Sequence, residues 1–512
     1  MALATLLCLA AGAAVGLAGG LRSCAPTATP VDQTRPLSTA EAQRLATMRV
    51  HNYRDARAGL RATLGRPGSE LRLTGWVDWG RTLAYFAVSG PGAQQQYGLL
   101  QAVPGVIATR AAAPTPQAGA ATPQAAGPAP ATPPPAPPRD AWRVRPASAG
   151  TPHPGPLDSF IALLFAIAHT RPDPVDLLAR SDARWLGRER TGGAAVDVLL
   201  GPAVPPQAAP ATPAGPGRQA APPSTGTPAH RTPGPTPPTS LAAMGGAVRY
   251  WLDGDARLHR LEALLADDIP VTADFDRTQR PTLTAIAALG GRPVTPRAVT
   301  TAEARLLARM RQRNLGNGGA RVALAVPTVP DANLRGTGWV DWREPTLYLR
   351  LRDLDRPAEP ALLRAAQAGV ALRPAPQKAP TGNDAMPPLP PPAGGWTVVP
   401  WERRGDARGG LDLDLLVNEA VSMGSPSPDD AQALRRSAAW LRSDRIGSTS
   451  VAVFEIPKPA EKGGARGSAR LRYWVDRSGL LRRLELRTRT GAFAQLDLTP
   501  AEVPRLRALP AP

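Results

Sequence analysis

Thr74-Gly75-Trp76-Val77-Asp78-Trp79 returns unchanged as Thr337-Gly338-Trp339-Val340-Asp341-Trp342. Within Leu71 to Trp79, Leu71, Leu73, Gly75, Val77 and Trp79 share one face, and Arg72, Thr74, Trp76 and Asp78 share the other. That period of two marks a half-buried strand. Working outward, further segments repeat in the same order. Thr39 to Arg49 matches Thr301 to Arg311, and Gly98 to Ala102 matches Ala361 to Ala365. Trp142 matches Trp396, Leu157-Asp158 matches Leu411-Asp412, and Ala183 to Leu186 matches Ala438 to Leu441. Arg249-Tyr250-Trp251-Leu252-Asp253 matches Arg472-Tyr473-Trp474-Val475-Asp476, and Arg260-Leu261-Glu262 matches Arg483-Leu484-Glu485. Ordered recurrence of this kind predicts a tandem duplication.

The separation between matches starts near 262 and shrinks to 254, then 223. Two Pro/Ala/Thr/Gly runs in the first copy, 111–139 and 201–239, account for the shrinkage. Such runs cannot bury enough side chain to fold, and shorter counterparts fall near 373–394 and 457–469. The predicted division is a first unit over 37–280, a linker over 281–296, a second unit over 297–505 and a tail over 506–512.

Each unit opens with a capped helix, Ser38 or Thr39 preceding Glu41. Strands follow; Leu347, Leu349 and Leu351 alternate with Tyr348, Arg350 and Arg352. Leu99 to Ala102 reads as a short helical or extended piece. Phe160 to His169 is an apolar helix, and Asp173-Pro174 and Ser427-Pro428 open another. Hairpins close each unit, with Asp253-Gly254 at one turn. Segregated helices and strands predict an α+β fold with an antiparallel sheet covered by helices on one face.

This order, together with the closing Tyr-Trp-(Leu/Val)-Asp and Arg-Leu-Glu hairpin and Asp173 to Leu178 ahead of Trp185-Leu186-Gly187, resembles the bacterial lipoprotein-carrier-like half-barrel superfamily. That group includes the outer-membrane lipoprotein carriers and the actinobacterial lipid-carrier lipoproteins. The resemblance spans both units. It implies a curved antiparallel half-barrel whose concave face is plugged by helices and can hold acyl chains.

The chain has 512 residues, 61 Pro, 49 Gly and a formal charge of +19, almost all of it from Arg. A GC-rich genome such as an actinobacterial one accounts for that bias as readily as an anionic partner does. Its only cysteines, Cys8 and Cys24, precede the expected fold, which excludes a disulfide scaffold and a Cys-based zinc site. Ala2 to Leu21 is apolar and free of charge. Residues 1–24 therefore read as a signal peptide or membrane anchor, and 25–36 as a tether. Leu21-Arg22-Ser23-Cys24 resembles a lipobox, making Cys24 the lipidation candidate; a retained anchor and simple cleavage are the alternatives. All three place the rest of the chain outside the cytoplasm.

The Trp-(Val/Leu)-Asp unit occurs at Trp76, Trp251, Trp339 and Trp474. It reads either as an aromatic rim around a lipid cavity or as a strand-end Trp under a helix, and its recurrence favours the architectural role. Phe160, Ile161, Leu164 and Phe165 are the candidates to line or fill a cavity. The five histidines (His51, His153, His169, His230 and His259) have no counterparts in the other unit, and no nucleophile elbow, phosphate loop or HExxH is present. The arginines lack an aromatic platform of the kind that binds RNA. The expectation is a non-enzymatic envelope protein without cofactor or nucleic acid, attached to the membrane by its N-terminus and binding lipid or lipoprotein acyl chains. The alternative is a sensory or scaffold protein whose half-barrels bind a protein partner.

Overall fold

The structure is a computed structural model. It describes residues 34–112, 132–139, 141–147, 154–203, 247–328, 332–356, 358–375, 386–401, 411–458 and 464–506. The expected leader or anchor over 1–24, Cys24, and most of the runs 111–139 and 201–239 lie outside these residues, as does almost all of the tail. Among the described residues no helix is long and apolar enough to cross a membrane.

The described strands form two antiparallel sheets, each of twelve strands. In the first, one meander runs from Arg57–Leu64 to Arg143–Pro146 and another from Arg184–Thr191 to Pro270–Asp276. The two join where Pro270–Asp276 pairs with Arg57–Leu64, Phe275 opposite Leu60. The second sheet repeats this order, and Phe493–Pro500 pairs with Gly319–Thr328, Leu498 opposite Val322. Each sheet is a curved half-barrel with helices over its concave face, the expected α+β class. Gly98–Val103 is a strand, which resolves the ambiguous reading of that segment.

Helix α1 (Thr39–Asp55) starts in a reciprocal capping box. Ser38 Oγ accepts from Glu41 N, and Ser38 N donates to the Glu41 carboxylate at 2.8 Å. Arg35 holds that carboxylate with two bonds of 2.7 Å. Helix α2 (Pro156–Ala166) begins on a proline suited to its first turn. It buries Leu157, Phe160, Leu163 and Leu164 in one core with Leu45 and Met48 of α1. Helix α3 (Val175–Arg180) follows.

Over the second sheet lie α4 (Thr301–Asn317), α5 (Leu411–Val421) and α6 (Ala431–Ser437). The Thr300–Glu303 capping box and the Arg297 clamp, with bonds of 2.7 and 2.8 Å, reproduce the first set.

Two tryptophans and two asparagines fix the middle helices. Trp79 Nε1 donates to Leu164 O at 2.9 Å, and Trp342 Nε1 to Ala420 O at 3.0 Å. Asn52 Nδ2 donates to Ile167 O and Asn314 Nδ2 to Met423 O. These anchors set Leu157 against Leu413 and Asp158 against Asp414. The sequence match to Leu411-Asp412 is therefore displaced by two residues, because a short Leu-Asp pair also occurs one alternation earlier.

The stretch read as a linker is packed. Leu283, Ile286 and Leu289 lie with Trp76, Tyr85 and Leu99 on the face of the first sheet that the helices do not cover. In the second sheet, Val503 and Leu506 cover Tyr348 and Leu362 in the same manner, with Trp339 and Trp396 beside them. The ends of two Pro-rich runs are placed too: Trp142 Nε1 donates to Pro138 O, and Trp396 Nε1 to Pro392 O, both at 2.7 Å.

Candidate functional site

The concave interior of the first sheet is built by strand alternation. Leu71, Leu73, Val77 and Trp79 face the helices, and α2 lays Phe160, Ile161 and Leu164 onto them. Phe160 and Leu164 are fully buried, while Phe165 is partly buried at the edge of the same core. Four of the sequence-predicted cavity residues are thus brought together.

The four tryptophans are not in that interior. Trp76 and Trp339 lie in the clusters covered by the Leu283 and Leu506 segments. Trp251 packs with Val196 and Val198, and Trp474 with Leu441, Val451 and Val453. Parity decides this: Trp76 is one residue from Val77, so it points through the sheet when Val77 and Trp79 face the helices. Arginines accompany the outer tryptophans. The Arg442 and Arg483 guanidinium groups stand 5.1 and 4.8 Å from the Trp474 ring, so these arginines pack on aromatic faces instead of being simply solvated.

A buried ionic hub closes the first interior. Arg49 is 1% exposed. Its Nε donates to Asp173 at 2.9 Å, and its other nitrogens donate to the carbonyls of Ala166, Pro202 and Ala203. Burial pushes the Asp173 carboxyl up from its ordinary pKa, against the pull of Arg49. The corresponding pair, Arg311–Asp429 at 3.1 Å, is about one-third exposed on both sides. Beneath α5, Glu419 takes the place of Leu163; it accepts from Tyr473 OH at 2.6 Å and from Lys458 Nζ at 2.7 Å.

A second ion cluster involves α1. Arg44 and Arg188 both donate to Asp197, and Trp185 Nε1 donates to it at 3.2 Å. Burial works to raise the Asp197 carboxyl, but these hydrogen bonds outweigh it and hold its pKa below the ordinary value.

In the second sheet a cavity of about 360 Å³ opens beside α4. Leu306, Val451, Ala452 and Val475 provide apolar wall; Ser443, Ser450, Arg292, Arg445, Arg477, Asp444 and Asp476 provide the polar part. Both carboxylates are already engaged. Asp444 accepts from Arg442 Nε at 2.8 Å, and Asp476 accepts from Arg482 Nε at 2.6 Å. Sequence reasoning missed this cavity, because its walls come from five separate stretches of chain. Among the described residues no group of three or more His, Cys, Asp or Glu side chains is placed to hold a metal ion.

No protein-family model matches the chain, and no curated protein matches it. Several solved structures are similar to parts of it, and two of them are lipoprotein structures. One is the Mycobacterium tuberculosis lipoprotein LppX, at 14% identity and a TM-score of 0.21, covering 40% of this chain and 96% of that one. The other is an outer membrane lipoprotein-sorting protein domain from Vibrio parahaemolyticus, at 10% identity and a TM-score of 0.16, covering 38% of this chain and 91% of that one.

Proposed function

We propose that this chain is a non-enzymatic protein of the cell envelope, membrane-tethered or secreted, built from two copies of one unit. It binds an apolar ligand, a lipid or the acyl chains of a lipoprotein, between a curved sheet and its plug helix. The observation that supports this reading is the apolar lining of the first interior on both sides, Phe160, Ile161 and Leu164 from α2 against Leu73, Val77 and Phe86 from the sheet. Each methylene buried there is worth about 0.8 kcal/mol. Because α2 fills the space, a bound chain must take the place of plug side chains, so binding is coupled to movement of α2. The apolar segment Ala2 to Leu21 supports the extracytoplasmic placement.

A second reading is favoured by the same full packing: a scaffold that presents its sheets to a protein partner and carries no lipid. Detergent-free isolation followed by mass spectrometry separates the two. Co-purified acyl lipid that is depleted in Leu164→Trp is the expected result. Repeated natively folded preparations without lipid overturn carriage and leave the partner reading.

A further inference from the structure

The cavity in the second sheet occupies the place of the Arg44–Asp197–Arg188 cluster in the first. Register proves the equivalence. Arg188 stands opposite Asp197, and Ser443 opposite Ala452, each just after a bulge that follows the paired tryptophans Trp185 and Trp440. On the next strand, Leu252 is opposite Asp197 and Val475 opposite Ala452. On the helix, Arg44 and Leu306 stand at the same distance from their caps, Ser38 and Thr300. The second sheet therefore has Leu306, Ser443 and Ala452 where the first has two arginines and an aspartate. Three long or charged groups are replaced together by shorter or apolar ones, and space remains.

We infer that this space is a binding site for a single-chain anionic amphiphile. The alkyl chain lies on Leu306, Ala452 and Val475, and the phosphate or carboxylate head meets Arg292, Arg445 and Arg477. About 360 Å³ lies at the small end of ligand pockets, roughly 300–1,000 Å³, and suits one chain better than a multi-chain lipid. Arg445 Nη2 donates to Ser448 O at 3.2 Å, but the charge at the mouth is not neutralised by an ion pair. Asp444 and Asp476 are paired with Arg442 and Arg482, whereas among the described residues no carboxylate lies within ion-pair distance of the three rim arginines. Guanidinium groups suit phosphate and carboxylate oxygens by their planar donor geometry. The site lies at the edge of the second sheet's core, apart from the α2 interior of the first sheet, and does not rest on it.

Calorimetric titration of the full chain with dodecyl phosphate, dodecanoate, dodecanol and inorganic phosphate tests the inference, with the two anionic amphiphiles kept below their micellar concentrations and dodecanol below its solubility. One dodecyl phosphate or dodecanoate should bind per chain, at least about tenfold tighter than dodecanol, the loss expected for a charged contact. The stronger of the two anions identifies the head. R445Q/R477Q should weaken binding by about tenfold or more. L306R/S443R/A452D rebuilds the cluster that the first sheet already carries, and should abolish binding with the fold intact. Ala452→Phe blocks the cavity by bulk alone and should do the same if the triple variant does not fold. Equal binding of dodecanol, or binding that survives both filled variants, overturns the inference. Binding that survives them but is lost in Leu164→Trp puts the ligand under α2, which overturns this site and leaves the earlier reading standing.

Discussion

The two sheets share strand order, caps and helix anchors, yet they treat the arginine on the inner face of their first helix differently. Arg49 is sealed in with Asp173 and three carbonyls, whereas Arg311 and Asp429 meet at a half-open edge. The contrast teaches that equivalent bonds are not equivalent energetically. Breaking a pair that solvent cannot reach strands a charge; breaking one that solvent does reach costs little.

The largest expected effect breaks this comparison open. Arg49→Leu should cost about 3–5 kcal/mol, because Asp173 and the carbonyls lose their donor. Arg311→Leu should cost less than about 1 kcal/mol. Urea denaturation of both variants measures the difference, and equal losses would show that the sealed pair is no stronger than the open one.

Next in size is a feature that the two sheets hold in common. A Cβ on Gly75 would sit 2.1 Å from Tyr85 O, and one on Gly338 would sit 1.9 Å from Tyr348 O. Gly75→Ala and Gly338→Ala should each cost about 1–3 kcal/mol through forced strand displacement. Thermal melts giving one large loss and one negligible loss would show that the sheets are not built alike at this crossing.

The smallest effect concerns the caps. Ser38→Ala and Thr300→Ala should each cost about 1 kcal/mol. Hydrogen bonds from Arg35 and Arg297 hold Glu41 and Glu303 at pKa values of about 2. A carboxyl depressed in the folded state stabilises above its unfolded pKa, near 4.3, and loses that contribution as pH falls towards about 2. Melting temperature should therefore fall between pH 4.5 and 2, and less steeply in Glu41→Gln/Glu303→Gln. An unchanged acid limb in that variant would remove the clamps from the comparison.

Much of this architecture could be read from residues alone. The alternation through Leu71–Trp79 assigned both faces of that strand correctly, and Ser38 with Glu41 marked the helix start. The face that the helices choose is not legible, because period-two alternation is symmetric until a partner is known; the residues alone leave Trp76 open to either face, and the structure puts it on the one that the helices do not cover. Leu283, Ile286 and Leu289 looked like linker because they are spaced through Thr, Ala and Gly and carry no strong period. The plug residues Phe160, Ile161 and Leu164 were legible as an apolar run. The cavity was not, since it depends on Leu306, Ser443 and Ala452, far apart in the chain and unremarkable singly.

The segment from Leu283 to Leu289 has a practical consequence for dividing the chain. It serves the first sheet as Val503 and Leu506 serve the second, so each sheet brings its own outer cover at its C-terminal end. A fragment cut at Arg280 would bare Trp76, Tyr85 and Leu99 to water and invite self-association. A fragment extended through Gly290 keeps that sheet's cover in place.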